Sequence, residues 1–532
     1  MLDVLIRGGW VADGTGNPLY KADVAIEGDR VVDVRPLPGA QATHVVAAQG
    51  KIVCPGFVDA HSHSDFSIHA NPTAESTIRQ GVTTEIVGQC GLASWPLTPA
   101  SREAVTARLR MYAYEGPVEW DSFEDYLGAI AAMGTSCNLA FFVGHNALRT
   151  AAGVVGPAVS EEQYRLMESY LHQALAAGAL GLSTGLEFEP GRQATTAEIM
   201  RLAKVVAEHK GMHASHIRNR DEGLEAAIEE FLAIVRRAGI KGQVSHLNVR
   251  ENTGAAPGAW QKAVAMLERA RRDGVEVLTD TTPLREGIGQ MQGILPPWVL
   301  AEGSAQAATL LRDPAVRRRL RGECDRYWRF IHRGDWQRAR LQSSTEFPEL
   351  CGKTFPEIAE NMGQDPWDCY FDILAAAGAK MDSLFLVAEL FGEEHSAAMV
   401  GHPLFILTTD TFTSRIDGPL SQTSRHPLNY MGMVHYLTHH VRRQGTLRLE
   451  EAIRKMTSMP ATQHGLHDRG LLRPGHKADV VVFDFDALAD VATSEQPLAY
   501  ARGVEHVFVN GVAVVAGGEH TGARPGRNLL RG

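Results

Sequence analysis

The stretch Pro55-Gly-Phe-Val-Asp-Ala-His-Ser-His-Ser64 sets His61 and His63 one residue apart at the end of a short apolar run. In a strand, residues i and i+2 point the same way, so both imidazoles would leave the strand end together. A lone His-x-His pair is weak; two surface histidines just past a strand would read the same. The pair gains weight from the segments around it.

From "TTEIVG" through "NLAFFVG", "LGLST", "HASHI", "QVSHL" and "VEVLTD" to "LFILTTD", short apolar runs alternate with longer helical stretches such as "SEEQYRLMESYLHQALAAG". Repeated strand–helix units imply a parallel sheet, and about eight of them imply a closed (β/α)8 TIM barrel. Further candidates stand at the ends of these runs: Cys90, His216, His246 and Asp410. Each alone is an ordinary core or loop residue. Six together at the C-terminal ends of barrel strands, where such folds keep their active sites, point to a metal centre. Nitrogen, thiolate and carboxylate donors in combination suit Zn2+.

Outside this region the texture changes. Residues 1–54 and 466–532 carry period-two alternation broken by Gly and Asp, as in "ADVAIEGDRVVDV" and "VEHVFVNGVAVVAGG". They are expected to join as one small β-sandwich beside a catalytic barrel spanning 55–465. A stretch from about 284 to 350, rich in Arg and Trp, interrupts the alternation and reads as an inserted helical segment at the barrel mouth. It would be a lid, a pocket wall or a solvated decoration.

Composition bounds the rest. The 532 residues carry 44% apolar side chains and a dispersed net charge of −10. That excludes a nucleic-acid or acidic-membrane surface, which needs basic clusters. The most basic run, Arg317-Arg-Arg-Leu-Arg-Gly322, reads as a solvated helix face. No apolar run is long enough to span a membrane, and no secretory leader is legible, so a cytoplasmic protein is expected. Six scattered cysteines, Cys324 among them, do not make a disulfide framework. A homo-oligomer is allowed but not specified.

The motifs "PGFVDAHSHSD", "GVTTEIVGQCG", "GALGLSTGLEFEPG", "HASHIRN", "VSHL", "EEAIRKMTSMPA" and "LLRPGHKADVVVFD" resemble the amidohydrolase superfamily, specifically its D-aminoacylase (N-acyl-D-amino-acid deacylase) members. The resemblance covers nearly the whole chain. It implies a zinc-dependent hydrolase that cleaves the amide of an N-acyl-D-amino acid or similar N-acyl compound by metal-activated water. Cys90, His216 and His246 would hold one zinc tightly, with Cys90 able to bridge to a second, weaker ion at His61, His63 and Asp410. Asp410 would be the general acid/base. Many superfamily members bridge two metals with a carboxylated lysine, but "GALGLSTGLEFEP" contains none, so a cysteine bridge is the simpler reading.

Three departures bear on substrate. Family members often carry "SHLK", "D-x-Y-P-Y" and "HPR"; here Asn248, Thr282 and Leu428 stand in place of the lysine, tyrosine and arginine. The lysine and tyrosine are expected to clamp the substrate's α-carboxylate. Either another cation, Arg218, Arg250 or Arg285, takes over, or the substrate is another carbon–nitrogen compound such as a cyclic amide or carbamate. His145, in "FFVGHNALR", is either a pocket residue or a core histidine, and His69 and His213 are read as structural.

Overall fold

In the computed structural model, residues 1–323, 328–344, 346–423 and 425–531 are described; Cys324 lies outside them. Eight parallel strands follow one another around a barrel: β1 (Phe57–Asp59), β2 (Val82–Val87), β3 (Asn138–Gly144), β4 (Gly181–Gly185), β5 (Met212–His216), β6 (Lys241–Val244), β7 (Val277–Thr281) and β8 (Phe405–Leu407). Their side chains are buried on both faces, as a parallel sheet covered by helices requires. The ring closes beyond the ladder itself. The Asp410 amide donates to the His61 carbonyl at 2.9 Å and the His63 amide to the Thr411 carbonyl at 2.7 Å. The closing contact therefore joins two residues of the candidate site.

The covering helices are amphipathic and capped. Glu161–Ala176 starts in a capping box between Ser160 and Gln163 and buries Met167, Leu171 and Leu175. Leu224–Ala238 turns Ile228, Phe231, Leu232 and Val235 inward and stops at Gly239, whose φ of 66° lets the last turn close.

Both chain ends meet in one nine-stranded sheet. Leu2–Val11 pairs with Tyr20–Glu27 on one side and with Ile52–Pro55 on the other, and Ile52–Pro55 pairs with Val480–Phe483 from the far end of the chain. Val4, Ile6, Val24, Val53, Val480 and Val482 pack in its separate core. The last residues leave this sheet: the Leu529 amide donates to Leu139 in β3 at 2.7 Å, so the tail lies along the barrel.

Between β7 and β8 the expected helical insertion is present and is joined by an antiparallel sheet of Glu286–Gln290, Ala339–Ser343 and Phe385–Glu389. One of its strands lies beyond residue 350, and the glycine-broken "EGIGQ" offers little period-two signal. The insertion rests on the loop after β6, where the Glu251 amide donates to Leu390 and Arg338 donates to the Glu251 carbonyl at 3.0 Å. No described helix is long and apolar enough to cross a membrane.

Candidate metal centre

Strand direction decides which side chains meet. His216 is the last residue of β5, and His61, Cys90, His246 and Asp410 follow the ends of β1, β2, β6 and β8 within three residues. All therefore reach the same rim. Cys90, His246 and Asp410 have positive φ values of 53°, 35° and 53°. Non-glycine residues avoid this region, and where they adopt it the surrounding structure must hold them there. The hold is visible at Cys90: a Cβ added at Gly185 would lie 2.0 Å from the Cys90 carbonyl, so only glycine lets the loop sit so low over β4.

The structure brings the six expected ligands into two groups sharing Cys90. In one, Cys90 Sγ lies 3.7 Å from His216 Nδ1 and 3.5 Å from His246 Nε2, and those two nitrogens are 2.9 Å apart. In the other, His61 Nε2 lies 3.2 Å from Cys90 Sγ and 3.2 Å from Asp410 Oδ1, which is 3.3 Å from His63 Nε2. Zinc–nitrogen bonds of about 2.0–2.1 Å and zinc–sulfur bonds of about 2.3 Å put tetrahedral ligand pairs roughly 3.3–3.6 Å apart. Two of the six spacings fall on that edge, three lie within 0.1 Å of it and the His216–His246 pair is closer, and the donors are the kinds zinc takes. The residues present fit the ion.

Charge supports the fit. Burial pushes the Cys90 thiol up, but the His61 charge and hydrogen bonds from His216, His246 and His61 outweigh it and hold the thiol well below its usual range. Asp410 behaves likewise: burial raises it, and His61 and His246 hold it well below the carboxylate range. His61 is raised despite burial by Asp410, Cys90 and Asp280. Thiolate and carboxylate, the ligand forms of these two side chains, are thus favoured, and a bound cation would take the place of the proton that His61 carries.

Three outer residues went unread in the sequence. Glu187, just past β4, accepts from Nε2 of His216 at 2.7 Å, leaving Nδ1 toward Cys90. Asp280 in β7 lies 3.5 Å from Nδ1 of His61 and accepts from Gln243 at 2.6 Å and from the His246 amide at 2.7 Å. Arg220 Nη1 lies 3.0 Å from His246 Nδ1. Such partners fix ring orientation and tautomer in histidine metal sites. A carboxylate at a strand's C-terminal end was the available signal, the same one that marked Asp410.

The other expected site residues are placed as follows. Arg250 is buried between Glu187 and Asp221, with Nη2 2.6 Å from Asp221. Arg218 pairs with Glu230 at 2.9 Å and donates to the carbonyls of Arg192 and Ala194. Arg285 pairs with Glu389 at 2.8 Å and Glu393 at 3.4 Å. Asn248 donates to the His246 carbonyl at 3.0 Å, and the Thr282 hydroxyl to the Leu284 carbonyl at 3.3 Å. Leu428 is a buried residue opening the helix Leu428–His435. His145 is buried with Nε2 2.9 Å from Glu198, which also binds Arg149. His69 stacks on Trp120 and His213 bonds the Leu182 carbonyl, both inside the core.

Comparison with known proteins agrees with this geometry. A family model described as amidohydrolase family matches residues 44–319 and 396–515. N-acyl-D-glutamate deacylase of Alcaligenes xylosoxydans xylosoxydans is 36% identical over all of this chain and 97% of the relative. D-aminoacylase of the same organism is 31% identical over 99% of this chain and 98% of the relative. The crystal structure of N-acyl-D-glutamate deacylase from Bordetella bronchiseptica, complexed with zinc and a phosphonate mimic of the tetrahedral intermediate, superposes with a TM-score of 0.80 at 31% identity, covering 99% of each chain. A crystal structure of D-aminoacylase superposes at 0.82 with 29% identity over the full length of both. With a family match over most of its length, the chain belongs to the amidohydrolase family and is a metal-binding hydrolase of carbon–nitrogen bonds, like the D-aminoacylases it resembles.

Proposed function

We propose that the protein is a zinc-dependent deacylase that cleaves the amide of an N-acyl-D-amino acid, a small-molecule substrate, with Asp410 as general acid/base. The observation that carries the reading is the convergence of Cys90, His216 and His246, with His61, His63 and Asp410, at one rim of the barrel. A zinc ion held there supplies Lewis acidity, lowering the pKa of water toward about 7 and polarising a carbonyl oxygen. The chain's residues do the rest. Asp410 is 27% exposed at its side chain, the most open of the set, so a substrate can reach it. It is held ionised by His61 and His246, so it can take a proton from the attacking water and return it to the leaving nitrogen. His61 and His63 hold its Oδ1 from two sides and fix its aim. Cys90, His216 and His246 account for one tightly held ion; His61, His63 and Asp410, sharing Cys90, offer a second, weaker place.

A specific observation favours a second reading of the substrate. Asn248 and Thr282 are neutral, and Arg218, Arg250 and Arg285 each face carboxylates already. A substrate carboxylate buried beside them would compete with those partners, and an unpaired buried charge is costly. An amide or cyclic amide lacking the α-carboxylate fits such a wall better. The test is a panel of N-acetyl-D-amino acids including D-glutamate, their L-isomers, and cyclic amides, read with zinc-loaded enzyme and Asp410→Asn. The first reading expects turnover of a D-isomer, reduced about 10²–10⁴-fold by the substitution. Turnover of neutral or cyclic amides alone selects the second.

A further inference from the structure

A second cluster of imidazoles lies outside the barrel-rim set. The helix Leu428–His435 passes into a π-helical stretch, Tyr436–Arg443. The wider winding is rare and concentrates at functional places. Here it groups His435, His439 and His440, each offering a ring nitrogen within 4.8 Å of the others. The rings of His435 and His439 stack with centroids 4.7 Å apart at 11°, and His440 stands edge-on, 4.8 Å from His439.

Two carboxylates from distant segments flank the group. Asp490 Oδ2 lies 2.7 Å from Nδ1 of His435, and Glu393 bonds Nε2 of His439. Each leaves the ring's other nitrogen unused by that bond, the arrangement in which a carboxylate orients a metal-binding histidine. Arg443 and Arg285 share the same carboxylates, which keeps the local negative charge low and makes the imidazoles the better ligands.

His440 supplies the independent sign. It is 1% exposed; the Pro283 backbone lies beside one ring nitrogen, and the other has no hydrogen-bond partner. Buried polar atoms are rarely left so.

We propose that His435, His439 and His440 form a separate structural metal site for a divalent transition ion, with Zn2+ as its natural occupant. Three imidazoles select zinc, nickel or copper over magnesium or calcium, which prefer oxygen. The site would pin the π-helix to the helix Glu393–Gly401 and to the Asp490 segment, tying three distant parts of the chain together.

The test counts zinc per chain after dialysis at low, buffered free Zn2+, in wild type, in the double variant His435→Gln/His439→Gln, and in His440→Gln. Both variants are expected to hold one ion fewer than wild type. Zn2+ is also expected to raise the Tm of wild type by a step that the double variant lacks. Equal zinc counts in all three proteins overturn the proposal. A variant that loses every ion has failed to fold, and zinc-edge anomalous scattering from wild-type crystals then decides. A peak among the three rings supports the site, and its absence there overturns it.

Discussion

At the ends of β1, β2 and β8, Cys90 and Asp410 are held as anions among imidazoles, with Asp280 behind them. A few residues away, past β4, β5 and β6, Arg220 and Arg250 meet Glu187 and Asp221 side chain to side chain. Among the described residues, the anionic donors of the first region face imidazoles and no lysine or arginine pairs with them. The second has cations with their charge already spent. The first region therefore favours a bound cation, and the second has no charge to spare for a further anion.

Substitutions can break this contrast. Cys90→Ala removes the donor common to both ligand groups. Since bound metal supplies several kcal/mol of transition-state stabilisation, activity is expected to fall by about 10³-fold or more, with loss of zinc seen by metal analysis. Arg250→Met leaves buried Asp221 without its cation and Glu187 with Arg220 alone. Breaking a buried pair from one side costs about 3–5 kcal/mol, read as a lower denaturant midpoint at unchanged slope. A loss much smaller than this would mean the wall can spare the Arg250 charge for a substrate.

Smaller effects sharpen the picture. Glu187→Gln keeps the shape but removes the anion that orients His216. Metal affinity is expected to drop about 10–100-fold while the fold persists, measured by competition with a chelator. Lys455 lies far from this chemistry. It is fully buried, with Nζ donating to the carbonyls of Val400 and His402, and burial lowers its pKa to about 7. The unfolded chain keeps the ordinary lysine value of about 10.4, so between these values it binds more protons than the native state and stability climbs as pH rises. Lys455→Met is expected to flatten that climb between about pH 7 and 10 in unfolding titrations.

The same contrast explains what could be read in advance. That six candidate side chains would gather at one rim was legible because a parallel barrel strand fixes direction: a polar residue just past an apolar run reaches the rim. Asp280 obeyed that rule and was passed over as part of a departure from a family motif. The arginine wall was not legible, because whether Arg250 is free depends on Glu187 and Asp221, which come from other strand-to-helix loops. Helix spacing could be read in the insertion, but the strands Glu286–Gln290 and Phe385–Glu389 pair across most of its length, and such pairings leave no local period. The π-helix escaped for a similar reason: "HYLTHH" reads as ordinary helix until its winding is seen.

The proposed chemistry requires an ion at the barrel rim, and anomalous scattering at the zinc edge from crystals of active, zinc-loaded enzyme tests this directly. The predicted result is a peak bonded to Cys90 Sγ, His216 Nδ1 and His246 Nε2. An active enzyme whose crystals show no scatterer within bonding distance of these three atoms would contradict it.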